Sequence, residues 1–350
     1  MDTNKLYNSV LIVGGGYKYP KGGIGQVLNT YSSFFPVFRF VRTTRRTNLL
    51  GKLFQLVYAI IKFTCLCMFD RRIKIIHIHG STYHSFCRKS IFIFIGHACN
   101  KKIIYHIHGS NFDIFARNNK KKVLAVLKKV DCIIVLSQYW KDFFEKELGC
   151  KNVKILPNVV SSRDYCKRRI DFPLQALFLG LLGKRKGIYD LLQVVAEHKA
   201  ELEGKLVLHV GGNGETEKVQ HYIESEELQH IVKFEGWVSG EKKKQLLSQC
   251  DFYILPSYAE GLPISILEAM SYQMPILSTT VGGIPEVVEN GINGILIQPG
   301  DKSALYQALM RLMSDEKLLI SMGNASYRKV QPYFLENVKM ALERLYTELL

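Results

Sequence analysis

Short apolar runs rich in β-branched residues alternate along the chain with longer stretches whose apolar residues recur at helical spacing. In the first half, six strand-like runs stand at Val10–Val13, Phe38–Val41, Ile73–Ile78, Ile103–Ile107, Ile133–Leu136 and Val153–Leu156. Helical patterns lie between them, for example at Leu49–Phe69 and Lys120–Lys129. Strands that alternate with helices in this order predict a parallel sheet with helices on both faces.

The same alternation restarts after a polar segment, SSRDYCKRRIDFP, at residues 161–173. Six further strand-like runs follow, at Ala176–Leu179, Leu206–Val210, Val232–Phe234, Phe252–Leu255, Ile276–Leu277 and Gly294–Ile297. The predicted fold class is therefore α/β, with two Rossmann-like doubly wound domains at residues 1–165 and 170–334 that face each other across a cleft. Helical segments at Lys302–Met313 and 335–350 end the chain, and the last is expected to pack back on the first domain.

Functional residues are expected in the loops that follow the strands, because open α/β sheets bind ligands beyond the carboxyl ends of their strands. The stretch LPSYAEGLPISILEAMSYQMPILSTTVGGIPE places Glu260 in such a loop, and Glu268 follows inside a helix that Pro263 begins. The backbone of Gly261 and Leu262 offers N–H groups at the helix start, where a diphosphate could bind. The two carboxylates could then accept hydrogen bonds from hydroxyls on either side. Alternatively, Glu260 only caps the helix and Glu268 is a solvated charge.

A second loop, GLLGKRKGIYDLL, groups three cations after a predicted strand. Gly180 and Gly183 permit a tight turn, and Lys184, Arg185 and Lys186 follow at the start of a helix. Cations at this position can neutralise a departing diphosphate, although a solvated basic turn would look the same. A third loop, HVGGNGE with Gly212, is consistent with nucleotide contact.

In the first half, VGGGYKYPKGGIGQVL joins the opening strand to a helix. Gly22, Gly23 and the adjoining Ile24 form a loop in which the backbone could approach a phosphate or an acceptor closely. A dinucleotide-binding GxGxxG fails here, because Tyr19 stands where the third glycine is required after Gly14. The chain also lacks the acidic residue about twenty positions later, so NAD binding is disfavoured.

Two similar strand ends, KIIHIHGS and KIIYHIHGS, carry histidines at i and i+2, which face the same side of a strand. The pairs are His77 with His79 and His106 with His108. A histidine at a strand end could bind a sugar hydroxyl, while strand histidines with ordinary hydrogen bonds are the plainer interpretation. A metal site would need carboxylate or cysteine ligands that the pattern does not supply, so no metal is predicted.

The whole chain has a net charge of +16, and its positive charge is concentrated in the first half. Residues 1–165 carry 27 Lys and Arg against 8 Asp and Glu, and the remainder carries 20 against 23. This asymmetry indicates an anionic partner for the first half, either nucleic acid or an anionic membrane surface, unless the basic face is merely solvated. The apolar stretch Leu49–Phe69 is interrupted by Lys52, Gln55 and Lys62, and it predicts a buried or interface-lying helix instead of a transmembrane one.

Cellular location is predicted from the cysteines and from the first residues. The eight cysteines form no CxxC pair and mostly fall in apolar runs, which predicts buried free thiols in a reducing cytosol. The start MDTNKLYNS shows no apolar run behind a basic segment, so no signal peptide is predicted. We therefore expect a cytoplasmic protein, peripheral at the inner face of the cell membrane.

Taken together, these residues resemble the family-4 glycosyltransferases, which have the two-Rossmann GT-B fold. The most specific match runs from Glu260-Gly-Leu-Pro to Glu268-Ala-Met, which looks like the two glutamates of that family separated by seven residues. The segment VGGIPEVVENGINGILIQPGD is also similar, and GGIG at 22–25, His108-Gly109, Pro157-Asn158 and Lys186-Gly187 support the match. The resemblance spans nearly the whole chain.

The resemblance implies retaining transfer of a hexosyl-type sugar from a nucleoside-diphosphate sugar to a saccharide or lipid-linked acceptor, without a bound metal or other cofactor. By that analogy Glu260 contacts the donor sugar, Glu268 holds the ribose, and Lys186 with Arg185 stabilises the diphosphate. His108 would bind a sugar hydroxyl, and Gly23 would approach the phosphates or the acceptor. An anionic membrane is then the expected partner, and nucleic acid is disfavoured. The expected role is cell-surface polysaccharide or glycolipid biosynthesis.

Two positions depart from the family pattern. Leu181 stands where the family usually has an arginine, which weakens the case for two cations at the diphosphate unless Arg185 replaces the missing one. Val159 stands where glycine is frequent. The sequence is also compatible with other functions: a non-catalytic binding module for nucleotide-sugars or nucleic acid, or a glycosyl phosphorylase or epimerase of similar fold.

Overall fold

The computed structural model describes residues 3–18, 22–45, 47–162 and 171–350. The centre of the glycine-rich loop (19–21) and most of the predicted polar linker (163–170) lie outside the described residues. The chain divides into two compact units. The N-terminal unit comprises Met1–Val159 and Glu336–Leu350, and the C-terminal unit comprises Val160–Leu335.

The N-terminal unit contains a six-stranded sheet in which every pairing is parallel. Its strands are β1 (Val10–Gly14), β2 (Phe40–Arg42), β3 (Ile75–Gly80), β4 (Lys102–Ile107), β5 (Cys132–Val135) and β6 (Val153–Ile155). Their order across the sheet is β2-β1-β3-β4-β5-β6. Nearly all positions of the inner strands are buried, as expected when helices cover both faces of a parallel sheet.

Nine helices of the N-terminal unit are described. They are Thr3–Asn8, Gly23–Ser32, Leu49–Phe69, Tyr83–Ala98, Phe112–Asn118, Lys120–Leu127, Gln138–Asp142, the π-helical turn Phe143–Glu147, and the C-terminal helix Leu335–Leu349. The C-terminal helix packs within this unit: the hydroxyl of Tyr346 lies 2.7 Å from Nδ1 of His77, and the hydroxyl of Tyr7 donates to Glu343 at 2.5 Å. The last residues of the chain therefore complete the first domain.

The C-terminal unit contains a second six-stranded parallel sheet. Its strands are β7 (Leu174–Leu182), β8 (Leu206–Gly214), β9 (Val232–Gly236), β10 (Phe252–Leu255), β11 (Ile276–Thr279) and β12 (Gly294–Ile297). They lie in the order β9-β8-β7-β10-β11-β12. The chain thus winds outward from β7 in one direction and from β10 in the other, which is the Rossmann arrangement. Its topological switch point, where ligands bind in such sheets, lies between β7 and β10.

The helices of the C-terminal unit fill the connections between these strands and follow the last of them. They are the 3₁₀ turn Lys184–Lys186, Ile188–Glu197, Lys199–Leu202, Thr216–Ser225, Gly240–Gln249, Ile264–Ser271, Ile284–Val287, Lys302–Ser314, Glu316–Val330 and the 3₁₀ turn Gln331–Tyr333. Asp301 caps one of the long helices, and its carboxylate accepts from the N–H of Ala304 at 2.8 Å.

The predicted α/β fold class with two doubly wound sheets is confirmed, and a strand forms at each of the twelve predicted places. Strands β7 and β8 run further than predicted. Gly180 pairs with Gly212, and Leu182 pairs with Gly214. A Cβ at Gly212 would lie 1.8 Å from the carbonyl oxygen of Gly180. Gly212 therefore belongs to a strand instead of a loop, and the contact between adjacent strands itself requires glycine there.

The cysteine prediction is right for some positions and wrong for others. The described cysteines are free thiols, and Cys67, Cys132 and Cys250 are buried. Cys65 and Cys87 are exposed because each lies on the outer side of a helix, although both fall in apolar sequence. Apolar neighbours in sequence thus do not fix which side of a helix faces the core.

Candidate functional site

The predicted donor-site residues lie at the topological switch point of the C-terminal sheet. Strand β7 ends at Leu182 and is followed by the cationic turn 184–186. Strand β10 ends at Leu255 and is followed by the loop that contains Glu260. Because β7 and β10 are adjacent and parallel, their carboxyl ends bring the two loops together.

Glu260 is held in this position by a hydroxyl and two cations. Its Oε1 accepts from the hydroxyl of Ser257 at 2.7 Å and from Nζ of Lys186 at 2.5 Å. A guanidinium nitrogen of Arg185 lies 3.6 Å from the same oxygen. Glu260 is only 6% exposed, so the interaction with Lys186 is a nearly buried ion pair. Such a pair fixes the carboxylate in one orientation at the end of β10.

The cationic turn is shaped to reach the Glu260 loop. Gly187 has a positive φ of 70°, and a Cβ there would lie 2.0 Å from the carbonyl oxygen of Pro256. The turn therefore packs on the backbone that leaves β10. Arg185 donates from its guanidinium to the carbonyl of Ala259 at 2.9 Å. Burial lowers the pKa of Lys186, and the nearby Glu260 carboxylate opposes that shift.

Arg185 lies beside Glu260, whereas Leu181 brings no cation to the site. Leu181 lies near the end of β7 with 48% of its surface exposed, so this departure leaves an apolar side chain at the surface. Arg185, four residues later, supplies a second cation beside Glu260. The site thus contains two positive side chains without an arginine at position 181.

Glu268 lies on the helix Ile264–Ser271, as predicted, and forms its own ion pair. Its Oε1 accepts from Nζ of Lys243 at 2.6 Å, and both side chains are mostly buried. Glu260 and Glu268 therefore have different partners and different settings. Glu260 pairs with the cationic turn, whereas Glu268 pairs with a lysine of the helix Gly240–Gln249, which precedes β10 in the chain.

The backbone of the Glu260 loop packs against the turn that follows β11. Gly282 has φ of 56°, and a Cβ there would lie 2.0 Å from the carbonyl oxygen of Glu260. The N–H of Gly283 donates to the carbonyl of Gly261 at 2.8 Å. Gly261 and Leu262 are themselves buried. The segment VGGIPE thus supports the loop from behind.

Replacing Gly282 with alanine is expected to destabilise the C-terminal unit by more than the ordinary cost of a left-handed alanine, about 1–2 kcal/mol. The added Cβ would collide with the backbone of Glu260. Gly291→Ala is the matched control, because Gly291 also has positive φ (81°) but nothing lies within 4 Å of its Cβ position. Urea unfolding of both variants measures the difference. Equal losses of stability would contradict the supporting role of Gly282.

The remaining predicted glycines have less demanding surroundings. Gly183 has extended backbone, and a Cβ there would lie 3.3 Å from the carboxylate of Glu215. In the N-terminal unit, Gly22 precedes the helix Gly23–Ser32, has extended backbone and has open space around its Cβ position. Gly22 and Gly23 are exposed and Ile24 is half-buried. The first N–H groups of this helix have no acceptor within the helix itself, as at any helix start.

His108 lies just beyond the end of β4 in the N-terminal unit, next to three buried histidines. Its Nε2 is 3.0 Å from Nδ1 of His79, and its ring stacks on that of His106 with centroids 4.2 Å apart. Nε2 of His77 lies 3.3 Å from Nδ1 of His106. Burial disfavours the imidazolium form and holds the pKa of His77 and of His108 at about 3. The four rings are therefore neutral at physiological pH.

The histidine cluster meets the distance requirement for a metal site but not the orientation. The closest nitrogens of His77, His79 and His106 lie within 4.8 Å of one another. The rings are stacked, however, with interplanar angles of 23° for His77 on His79 and 14° for His77 on His106. Zinc needs three imidazoles whose lone pairs converge at about 2.0–2.1 Å. Nearly parallel rings do not direct three lone pairs to one point, and Nε2 of His77 already faces Nδ1 of His106 at 3.3 Å. We therefore interpret the cluster as hydrogen-bonded strand histidines, and the metal-free site stays a prediction.

The structure therefore brings Glu260, Lys186 and Arg185 together, places Glu268 with Lys243, and locates His108 among the histidines of the other unit. Sequence reasoning missed Ser257 and Lys243 as partners of the two glutamates. Ser257 stands three residues before Glu260, a spacing at which a hydroxyl commonly reaches a turn residue. Lys243 is one of three consecutive lysines, and no local signal distinguishes it.

Comparisons with known protein families match both halves of the chain. Residues 168–329 match the family described as Glycosyl transferases group 1. Residues 25–163 match the family described as Glycosyltransferase Family 4. The two matches adjoin at the boundary between the structural units, and together they cover most of the chain.

Two relatives with low sequence identity to this chain are both described as glycosyltransferases. An uncharacterized glycosyltransferase of Methanocaldococcus jannaschii is 26% identical over 63% of this chain and 60% of its own length. The amylovoran biosynthesis glycosyltransferase AmsK of Erwinia amylovora is 29% identical over 47% of this chain and 42% of its own. The chain thus spans about half the length of these relatives. Anabaena HepE, solved in complex with UDP-glucose, is similar in fold, with a TM-score of 0.76 and 17% identity over 97% of this chain and 99% of that one.

Proposed function

The chain belongs to the group 1 (family 4) glycosyltransferases, and from this premise we propose that it transfers a hexosyl unit from a nucleoside-diphosphate sugar to a saccharide or lipid-linked acceptor with retention of configuration. The observation that carries the proposal is the buried Glu260 carboxylate, held by Lys186 and Ser257 at the switch point of the C-terminal sheet. A carboxylate and two cations at this position suit a ligand that has hydroxyls at one end and phosphates at the other.

In the proposed reaction, Lys186 and Arg185 stabilise the negative charge that develops on the departing diphosphate. The bond between the anomeric carbon and the phosphate oxygen breaks while the acceptor hydroxyl attacks from the same face. The proton of that hydroxyl passes to the leaving phosphate oxygen, so a separate general base is unnecessary. Glu260 orients the donor sugar by accepting from its hydroxyls, and Glu268 accepts from the ribose hydroxyls. His108 is neutral because of its depressed pKa, so its ring can accept a hydrogen bond from a sugar hydroxyl or donate one to it.

The two cations also bear on the cofactor requirement. Fixed positive charges beside the leaving group provide the stabilisation for which other enzymes use a divalent ion. We therefore propose that the donor nucleoside-diphosphate sugar is a co-substrate and that no metal is needed. Turnover that persists in excess EDTA would support this proposal, and loss of turnover restored by Mg²⁺ or Mn²⁺ would contradict it.

The proposed biological role is cell-surface polysaccharide or glycolipid biosynthesis. It is supported by the similarity to AmsK, a glycosyltransferase of amylovoran biosynthesis. The similarity to HepE bound to UDP-glucose makes UDP-sugars the first donors to test.

A nucleotide screen followed by a transfer assay tests the activity. We expect UDP, GDP or ADP to raise the unfolding temperature selectively, because a ligand that binds only the native state stabilises it. At one hundred times its Kd, the preferred nucleotide should add about 2.7 kcal/mol. The corresponding labelled nucleotide-sugar should then be hydrolysed or transferred.

The same assay separates the other candidate activities. Nucleotide binding without hydrolysis or transfer would indicate a binding module. Formation of a sugar 1-phosphate that depends on added phosphate would indicate a phosphorylase. An altered sugar still attached to the nucleotide would indicate an epimerase. Each of these results would reject the transferase proposal.

A further inference from the structure

The helix Leu49–Phe69 presents an uncharged apolar face that nothing in its unit covers. Phe54 and Phe69 are 76% and 77% exposed, values far above those of core aromatics. Around them lies a set of exposed apolar side chains at Leu49, Leu50, Leu53, Val57, Tyr58, Ile61 and Met68. Monomeric soluble proteins seldom expose a contiguous apolar patch of this extent unless it binds something.

The exposed side chains form one continuous stripe. Positions 50, 53, 54, 57, 58, 61, 65 and 68 recur at intervals of three and four residues, which places them on one side of a helix. The helix has 21 residues and is therefore about 30 Å long. No lysine or arginine interrupts the stripe, since Lys52 lies two turns before Ala59 on the opposite side of the helix and Lys62 lies at the edge of the stripe.

The opposite side of the helix belongs to the core of the N-terminal unit. Ala59, Phe63 and Cys67 are buried there, and the Phe63 ring meets that of Phe92 edge-on at 5.1 Å. The side-chain amide of Gln55 donates to the carbonyl of Arg42 at 2.8 Å. One face of the helix is therefore committed to its own domain.

By length and composition, this is the one helix in the described part of the chain that could cross a membrane. A spanning position would separate Ala59, Phe63 and Cys67 from the core they help to form. A helix fixed along one face and apolar along the other instead suits a position in the plane of a membrane surface, with only the outer face inserted.

Basic residues surround both ends of the apolar stripe. Residues 42–74 contain eight Lys and Arg and one acid, Asp70. Asp70 is already paired, with Arg39 at 2.6 Å and with Arg72 at 2.9 Å. Exposed cations stand before the helix at Arg42 and Arg45 and after it at Arg71, Arg72 and Lys74. A surface that combines an apolar stripe with flanking cations is complementary to anionic lipid headgroups above an acyl layer.

We propose that the outer face of the helix Leu49–Phe69 docks the protein on an anionic lipid bilayer, with the helix lying in the membrane plane. Phe54, Tyr58 and Ile61 enter the headgroup and upper acyl region, while the flanking cations contact the headgroups. Because the cytoplasmic leaflet carries a negative surface potential, docking places the protein at the inner face of the cell membrane. The inference goes beyond the transferase activity and does not depend on it, since binding is measured without a donor or an acceptor.

Vesicle flotation of the whole chain tests the proposal. The probes are vesicles of phosphatidylcholine alone and of phosphatidylcholine with 30% phosphatidylglycerol, at low and high salt. We expect strong flotation with the anionic vesicles, weakened by salt. The double variant Phe54→Asp with Ile61→Asp should lower the bound-to-free ratio at least tenfold. Both side chains are largely exposed, so the fold should persist, and an unchanged unfolding temperature verifies this.

Exposed apolar residues elsewhere give the matched control. Ile292 and Met340 are 51% and 49% exposed and lie outside the stripe. The pair Ile292→Asp with Met340→Asp adds the same two charges and should leave flotation within twofold of the wild type. Arg45→Gln, Arg71→Gln and Lys74→Gln together should weaken binding to anionic vesicles and reduce its salt dependence.

Tryptophan placed towards each end of the helix, at exposed positions, distinguishes in-plane docking from spanning. Positions 54 and 69 are 15 residues apart, or about 22 Å along the helix. Phe54→Trp and Phe69→Trp should therefore be quenched by brominated lipids at similar depth. Clearly different depths would indicate a spanning helix and overturn the in-plane assignment.

Three other outcomes reject the proposal. Failure of the wild type to float with anionic vesicles is the first, and flotation of the Phe54→Asp with Ile61→Asp variant to the same extent as the wild type is the second. Sedimentation could also reveal a dimer that this variant dissociates, in the absence of vesicle binding. A second copy of the chain, not a bilayer, would then cover the stripe.

Discussion

Replacing Glu260 with glutamine is expected to lower kcat by roughly 10²–10³-fold, the range seen when one preorganised polar group is removed from an active site. Glutamine keeps the shape of the side chain but not its charge. The donor sugar would lose an anionic hydrogen-bond acceptor, and Lys186, only 12% exposed, would lose the partner that fixes it. The measurement is steady-state transfer with the nucleotide-sugar identified by the screen.

Two further glutamate variants distinguish this effect from a general loss of charge. Glu268→Gln should mainly raise KM for the donor, because Glu268 is proposed to bind the ribose and not the reacting sugar. Glu289→Gln breaks an ion pair with Lys329 outside the site, and it should leave kcat and KM near the wild-type values. A folded Glu260→Gln protein with wild-type kcat would reject the role proposed for Glu260.

The N-terminal unit is expected to lose stability steeply as the pH falls from 7 to 5. In the folded protein, burial holds the pKa of His77 and His108 at about 3 and keeps that of His79 and His106 well below the usual value. In the unfolded chain histidine titrates near pH 6.5, so the unfolded state takes up protons first. The stabilisation that the neutral cluster gives to the folded unit is fully present above about pH 6.5 and decreases as the pH falls towards 3. Each histidine that stays neutral in the folded protein should add about 2 kcal/mol to the loss of stability between pH 7 and 5.

Urea unfolding at several pH values measures this dependence. Trp140 and Trp237 lie in different units, so a Trp237→Phe background lets Trp140 fluorescence report the N-terminal unit. In this background His79→Phe should reduce the slope of the unfolding free energy against pH by the equivalent of up to one bound proton. His221→Phe, which removes an exposed histidine of the C-terminal unit, should leave the slope unchanged. A wild-type stability that is flat between pH 7 and 5 would contradict the buried neutral cluster.

The sequence alone located a strand at each of twelve places because β-branched apolar runs separated by helical patterns satisfy both faces of a parallel sheet. It also singled out Glu260, Glu268 and Lys186, because all three stand in motifs that resemble those of the family-4 glycosyltransferases. Strand ends were less well determined. Gly212 looked like a loop residue, and only its pairing with Gly180 revealed that β7 and β8 continue through it.

What the sequence by itself determined was the α/β class, the order of elements and the family, because these depend on periodicity and on motifs that are local in the chain. Tertiary structure decided which charges meet. Lys186 reaches Glu260 across 74 residues because β7 and β10 are neighbours at the switch point, and Lys243 reaches Glu268 because the helices before and after β10 bring these two side chains together. Tertiary structure also decided which side of Leu49–Phe69 is exposed. Apolar residues occupy both sides of this helix despite Lys52, Gln55 and Lys62, so its sequence shows no preferred face, and only packing within the unit reveals the face that remains outside.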